Sequence, residues 1–271
     1  ETSGARLDGA STHEELAKPA FFGLGEMMNY VGVVAGDADV LAKLEGAEEL
    51  GKICDGHAPG LVGSALNAYL CAHIATDHES LSKEEIEEKI SRGMYVQIRC
   101  GSSANNAAVC ASLINETNGG RFLLCSDDKH AHDLLSRGHI DDALRTLVGL
   151  GVPPLLAVRT ATLNVAACYG LRRRGALAPG YIADMVAVDD VKDFHVRAVF
   201  KRGKLVAEDG NPLFSVGRYL PETVRGTVHV APVTADTFRI GLKEPFARAI
   251  FVVPNELITK EVIVPVRQRA G

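Results

Sequence analysis

Five short apolar runs in the first part of this chain each close on an ionisable side chain, and that repetition constrains the fold more than any other feature. Phe21-Phe22-Gly23-Leu24-Gly25-Glu26-Met27 carries Glu26 at its end, and Lys52-Ile53-Cys54-Asp55-Gly56-His57 closes on His57. His73-Ile74-Ala75-Thr76-Asp77-His78 closes on His78, and Met94-Tyr95-Val96-Gln97-Ile98-Arg99 on Arg99. Arg121-Phe122-Leu123-Leu124-Cys125-Ser126-Asp127 closes on Asp127, with Asp128 next. Amphipathic stretches separate the runs. Helices are predicted over 37–50, with Val40, Leu41, Leu44 and Leu50 among acids, over 63–72, and over 104–114. Ser82 is placed to cap a helix opening on Lys83-Glu84-Glu85, whose acids suit the positive helix start. Two further helices follow, over about 140–150 and, after Pro153-Pro154, to about Tyr169. An apolar strand followed by a helix, five times over, predicts parallel strands buried on both faces, as in an α/β barrel or a doubly wound sheet.

The texture changes after Gly170. Met185-Val186-Ala187-Val188 reads as a strand, and Val196 to Phe200 with Lys204 to Ala207 reads as a hairpin turning at Arg202-Gly203. Three units are therefore expected: an α/β part over 1–170, a small β domain over 171–231, and the start of a truncated C-terminal domain over 232–271, with strand-like runs at 249–253 and 262–266. The chain opens on Glu1 rather than Met and stops at Gly271 just after a strand, so the natural ends are expected to lie beyond it.

Composition excludes several classes. At 46% hydrophobic and 23% charged, with 27 Gly and 11 Pro, the chain is neither disordered, collagen-like nor a coiled coil. Net charge is −5 and no long basic run occurs, so binding to a nucleic-acid backbone is not expected; Arg172-Arg173-Arg174 reads as a solvated turn. No apolar run approaches the roughly 18 residues that span a bilayer, and no signal peptide is present, so a cytoplasmic protein is expected. The six cysteines form no Cys-x-x-Cys pair and read as buried, reduced thiols rather than a zinc ribbon or a disulfide framework.

In a parallel barrel the C-terminal strand ends converge on one face, where active sites are built. Glu26, His57, His78 and Asp127 would meet there as a nitrogen and oxygen donor set that suits Zn²⁺, Mn²⁺ or Fe²⁺. Taken singly, each has an ordinary structural reading: a loop acid, a structural imidazole, a helix cap. Recurrence at the same place in successive units favours the metal site. His130-Ala131-His132 has ligand-like spacing but lies past the last strand, ahead of a helix starting at Asp133, and is set aside. His13, His73, His139, His195 and His229 lack a chemical partner nearby in sequence and read as structural or surface residues. No Gly-x-Ser-x-Gly elbow, phosphate loop, dinucleotide fingerprint or Pro-Cys-x-x-Cys occurs.

Strand-end ligands followed by Ala178-Pro179-Gly180-Tyr181-Ile182-Ala183-Asp184 resemble the amidohydrolase superfamily and, within it, the microbial adenine deaminases. Gly23-Leu24-Gly25-Glu26-Met27-Met28-Asn29 and Asp55-Gly56-His57-Ala58-Pro59-Gly60-Leu61 are the more specific matches. Thr76 to Glu79, Ile98-Arg99 with Gly101-Ser102, Ser126-Asp127-Asp128, Gly138 to Asp141 and Ala161 to Asn164 extend the likeness over nearly the whole chain. The resemblance implies a metal-dependent (β/α)8 TIM barrel, partial here with strands four to eight, joined to a small β-sandwich domain. It implies conversion of adenine, a small purine, to hypoxanthine and ammonia, in purine salvage and adenine catabolism, by a homo-oligomer of the full-length enzyme. Glu26 would bridge two metals from the fourth strand, with His57 and His78 as the fifth- and sixth-strand ligands. Asp127 would be the eighth-strand ligand and proton shuttle, and Asp128, Arg99 and Ser102 would face the purine. A binuclear Mn²⁺ or Fe²⁺ centre is implied, with Zn²⁺ as a further option.

The family's first strand carries a His-x-His metal pair that this chain lacks. The polypeptide alone is therefore expected to be inactive and poorly soluble unless another chain completes the barrel, because two sheet edges would stay open. Two alternatives remain: a relative acting on another cyclic amide or amidine, and a non-catalytic, degenerate barrel that binds a partner. The acid at Glu26 argues against the hydantoinase branch, which usually places a carboxylated lysine there. Retention of the other strand-end ligands argues against the degenerate barrel.

Overall fold

Parallel pairing joins the five predicted strands. The computed structural model describes residues 6–217, 221–222, 225–242, 244–254 and 258–266. Strand β1 (Gly23–Met27) pairs in parallel with β2 (Ile53–Gly56). A single parallel bridge, Cys54 to Ile74, leads from β2 toward β3 (Thr76–Asp77). Parallel pairing then continues through β4 (Tyr95–Arg99) to β5 (Phe122–Cys125). The crossovers carry helices Ala38–Glu49, Gly63–Cys71, Lys83–Ser91 and Ala107–Ala111. Ser82 caps the third of these, its hydroxyl accepting the Glu85 amide at 3.2 Å.

The two-residue strand period divides the array into two unlike faces. Val96, Ile98, Phe122 and Leu124 point into a buried cluster with Ile86, Cys110, Leu147 and Leu156 of the surrounding helices. Cys54 and Ile74 join a second cluster with Leu44, Leu66 and Tyr69. On β2, β3 and β4 the other face is polar: Asp55 Oδ1 accepts from Gln97 Nε2 at 2.9 Å and from Thr76 Oγ1. The runs are thus apolar toward the helices and hydrogen-bonded on the inner face. Gly56 is required where β2 passes β3, since a Cβ there would lie 2.0 Å from the Thr76 carbonyl oxygen. Among the described residues β1 is paired along one edge only, as is β5. Phe22, just before β1, and Met28 and Val31, after it, lie exposed.

Three local expectations are corrected. The third strand shrinks to Thr76–Asp77, because His73 adopts a left-handed φ of 61° that interrupts the run. The helix expected to reach Tyr169 is two helices, Pro154–Ala161 and Leu163–Cys168. The Thr162 hydroxyl donates to the Val158 carbonyl, and buried Asn164 donates to the carbonyls of Gly119 and Phe122 at 2.7 and 2.8 Å. That anchoring turns the chain where no Gly or Pro signals a break. The cysteines are all free thiols, but Cys71 is exposed, and Cys125 and Cys168 are half-buried, rather than buried. Burial pushes Cys54 and Cys100 up to about 11, so those two are poor nucleophiles.

Beyond Gly170, β6 (Met185–Val188), β7 (Val196–Lys201), β8 (Lys204–Glu208) and β9 (Asn211–Pro212) form one antiparallel sheet. The predicted hairpin turns at Arg202, φ 51°, and Gly203, φ 78°. The Ala-Pro-Gly-x-x-Ala-Asp run proves to be turn hardware. Its Asp184 accepts the Arg202 amide at 2.9 Å, Lys201 Nζ at 2.8 Å and Arg174 Nη1 at 2.5 Å. A separate hairpin, β10 (Phe246–Val252) with β11 (Thr259–Pro265), covers both strand-like runs of the last segment; positions 267–271 lie outside the described residues. No helix among the described residues is long and apolar enough to cross a membrane.

Candidate metal centre

Residues two apart on a strand share a face, so the positions after the polar inner layer point the same way. Asp55 is followed by His57, Thr76 by His78, and Gln97 by Arg99. The array therefore gathers Glu26, His57 and His78 into one cluster whose donor atoms all lie within 4.8 Å of one another. His78 Nε2 is 3.1 Å from Glu26 Oε2, and His57 Nδ1 is 3.5 Å from Glu26 Oε1. The rings of His57 and His78 meet edge to face, with centroids 5.4 Å apart. Both nitrogens, His57 Nδ1 and His78 Nε2, are buried without a hydrogen-bond partner. Such orphaned atoms cost free energy unless something completes them. Two imidazoles and a carboxylate converging on one point fit a borderline divalent cation, which would take up those two lone pairs.

The charge distribution matches. The close approach of the His78 imidazole holds the Glu26 carboxyl below its usual range against the opposing effect of burial. Burial pushes the His78 imidazole down, but Glu26 and Glu79 outweigh it and carry it up to about 10 in the absence of a cation.

Asp127 stands at the rim, its Oδ1 4.0 Å from His78 Nε2. It is more open than the histidines and has a left-handed φ of 50°, uncommon outside glycine. Arg99 holds it, with Nη2 2.5 Å from Asp127 Oδ2 and 3.2 Å from Asp128 Oδ1. The same guanidinium pairs with buried Glu79, whose Oε1 also lies 3.2 Å from His78 Nε2 and 3.6 Å from His57 Nδ1. Burial raises the Asp128 carboxyl, but the Ser103 hydroxyl and amide together with Arg99 hold it below its usual range. Gly101 makes room for it, because a Cβ there would lie 1.6 Å from Asp128 Oδ1. Ser102 donates to Asp133 and accepts the His130 amide at 2.8 Å.

All seven residues singled out from the sequence thus fall at this end of the strand array, though only Glu26, His57 and His78 form the tight donor cluster. His130 and His132 stay outside that cluster. Sequence reasoning missed Glu79, whose signal was its place beside a strand-end histidine, one strand from an arginine that needed a counter-charge. It also read His139 as unpartnered, yet its Nε2 lies 2.7 Å from Ser126 Oγ, next to Asp127.

A strand array of this topology with donors at its C-terminal ends defines a class, and comparison with known proteins agrees: the sequence profile of the amidohydrolase family matches residues 7–206, and the chain belongs to that family. Within it, the chain is 47% identical over 259 residues to an adenine deaminase of Nitratidesulfovibrio vulgaris (strain DP4), covering 96% of this chain and 45% of that protein. It is 41% identical over 263 residues to an adenine deaminase of Clostridium acetobutylicum, covering 97% and 46%. The chain thus spans less than half the length of these relatives. Among solved structures, the N-acetyl-D-glucosamine-6-phosphate deacetylase of Mycobacterium smegmatis superposes with a TM-score of 0.57 at 19% identity, over 75% of this chain and 60% of that one. The β-aspartyl dipeptidase of Fervidobacterium islandicum AW-1 gives 0.58 at 15% identity, over 77% and 64%. These two likenesses show the fold alone.

Proposed function

We propose that this chain is the metal-binding and proton-transfer part of an adenine deaminase, a hydrolase that converts adenine to hypoxanthine and ammonia. The observation that carries the reading is the pair of orphaned imidazole nitrogens facing Glu26, in a chain whose relatives of 41–47% identity are named adenine deaminases. Glu26, His57, His78 and Asp127 would hold the metal, a binuclear Mn²⁺ or Fe²⁺ centre with Zn²⁺ as an alternative. When bound, that centre would lower the pKa of water toward neutrality and polarise the attacking oxygen.

This chain's own residues do the rest. Asp127, at the open rim, takes a proton from the attacking water as its oxygen adds to C6 of the purine. It returns that proton to the departing nitrogen as the C6–N bond breaks and ammonia leaves. Arg99 holds Asp127 in place through a charge-assisted contact. Asp128, beside it, would face the ring nitrogens and orient the purine, with Ser102 able to join it only by exchanging its bond to Asp133.

The five parallel strands are read as strands four to eight of an eight-stranded barrel, and the His-x-His pair of the first strand as lying outside this sequence. The one-sided pairing of β1 and the exposed Phe22, Met28 and Val31 that flank it support that reading. Residues 1–170 then form the barrel part, 171–231 a small β domain, and 232–271 the start of a truncated C-terminal domain. The whole protein is proposed to be a cytoplasmic homo-oligomer serving purine salvage.

Chromatographic assay of the longer protein with Mn²⁺ is expected to show hypoxanthine and ammonia formed from adenine, with Glu26→Gln and Asp127→Asn each lowering turnover at least about 100-fold. Turnover of a hydantoin with none of adenine would overturn the substrate, and robust deamination by residues 1–271 alone would overturn the partial barrel.

A further inference from the structure

Beneath the donor cluster lies a set of buried groups that the proposed chemistry does not use. They converge on the peptide units at His57 and Ala58. On one side, the hydroxyl of Tyr69, fully buried, accepts the His57 amide at 2.9 Å. The same hydroxyl lies 3.1 Å from the Met27 carbonyl oxygen, to which it donates, and 3.3 Å from the carbonyl of His57. Tyr69 therefore ties the end of β1, one residue past Glu26, to the backbone of His57. On the other side, Asp77 Oδ1 accepts the Ala58 amide at 2.7 Å, and Lys89 Nζ donates to the Ala58 carbonyl at 2.6 Å. Lys89 and Asp77 pair at 2.9 Å with both side chains fully buried. Asp77 immediately precedes His78. Glu85 completes the arrangement, accepting from Lys89 at 2.6 Å and from the Gly60 amide at 2.8 Å.

A buried lysine paired with a buried aspartate is a costly way to stabilise a fold, because desolvation of both charges offsets most of their attraction. A buried tyrosine hydroxyl spent on three backbone atoms is likewise more than packing requires. The three groups together fix the short segment carrying His57 between the strand ends that carry Glu26 and His78. We infer that Tyr69, Asp77 and Lys89 are positioning residues: a two-sided clamp on the His57-Ala58 peptide that sets the spacing of the three donors and so the affinity of the centre. The inference rests on the metal-centre reading above. None of the three touches the ion itself.

The test is Mn²⁺ and Zn²⁺ binding to the longer protein that contains this chain, by calorimetry, with the Mn²⁺ resonance signal as a check on site symmetry. Two variants are compared with the parent. Tyr69→Phe removes one oxygen and keeps the ring in the core. Asp77→Asn with Lys89→Met removes both charges of that pair and retains an acceptor for the Ala58 amide, while Glu85 keeps the Gly60 amide but loses its cation. Thermal unfolding is measured alongside. Loss of a group that orients a ligand typically costs 10- to 100-fold in affinity. Each variant is expected to fold and to bind about 10-fold or more weakly, with a broadened Mn²⁺ signal. Variants that unfold at lower temperature yet bind within two-fold of the parent would make the clamp merely structural and overturn the inference. A parent that binds neither cation overturns the metal-centre reading instead, and the clamp's role with it. If the double variant does not fold, Tyr69→Phe alone decides.

Discussion

Asp77 and Asp184 each collect a backbone amide and a lysine ammonium, and each sits on a different part of the chain. Asp77 belongs to the parallel array and is fully buried, whereas the side chain of Asp184, before β6, keeps 24% of its exposure. The same chemistry therefore carries different weight. In the array, charges are withdrawn from water and must be paired, so polar groups there dictate where the backbone runs. In the antiparallel sheet, charges remain hydrated and only select among turns. The array can hold a donor cluster to a fixed spacing, and the sheet has no comparable buried polar layer. That contrast is open to attack at several strengths.

The largest expected effect is on stability. Lys89→Ala leaves Asp77 and Glu85 buried without their cation, and breaking a buried pair from one side costs about 3–5 kcal/mol. Thermal unfolding is expected to fall by about 10 °C or more. A change within a degree or two would show that the array tolerates an unpaired buried charge, and the comparison would fail.

Next is the donor cluster itself. His78→Ala removes one of the two orphaned nitrogens and is expected to weaken Mn²⁺ binding about 100-fold, roughly 2.7 kcal/mol, read by calorimetry. Asp184→Ala is expected to leave binding unchanged. Equal loss in both would mean that the sheet supports the centre after all.

A smaller effect is expected where ion pairs are exposed. Arg197 contacts Asp189 at 2.7 Å and Asp209 at 3.0 Å across the antiparallel sheet. Arg197→Ala is expected to leave the thermal unfolding temperature nearly unchanged, and any shift should shrink further with added salt. A loss as large as that of Lys89→Ala would erase the distinction between the two regions.

The same contrast explains what could be read without coordinates. Strands ending at Arg99 and at Cys125 were legible because Val96, Ile98, Phe122 and Leu124 are apolar on the helix side, and the donors because ionisable residues recur at strand ends. The inner layer was not legible. Asp55, Thr76 and Gln97 sit within runs whose apolar alternates dominate, and each is satisfied by a partner 21 to 42 residues away. Glu79 and Lys89 were missed for a related reason, since Arg99, Asp77 and the Ala58 carbonyl reach them from other strands and loops, and only Glu85, one turn before Lys89, is local. The helix break at Thr162 depends on Asn164 reaching back 42 residues or more to β5 and the turn before it, which no local pattern encodes. The superfamily's Asp184 motif was legible as a signature but not as a turn brace, because its partners follow from the hairpin register.

The finest test concerns pH in the hairpin. Hydrogen bonds from Lys201 and from the Arg202 amide, with the charge of Arg174 nearby, hold the Asp184 carboxyl below its usual value of 3.8. A carboxyl depressed in the folded state stabilises that state fully above its unfolded value and progressively less as pH falls through the folded one. The brace on Arg202 should therefore persist at neutral pH and weaken only below about pH 4. Followed by NMR, the Arg202 amide should shift upfield across that acid window and stay put in Asp184→Asn, whose amide oxygen still accepts but does not titrate. The charge remains hydrated, so the effect should shrink with salt. An Arg202 shift centred well above pH 4 would mean that Asp184 is desolvated like the acids of the array, and the two regions would no longer differ in kind.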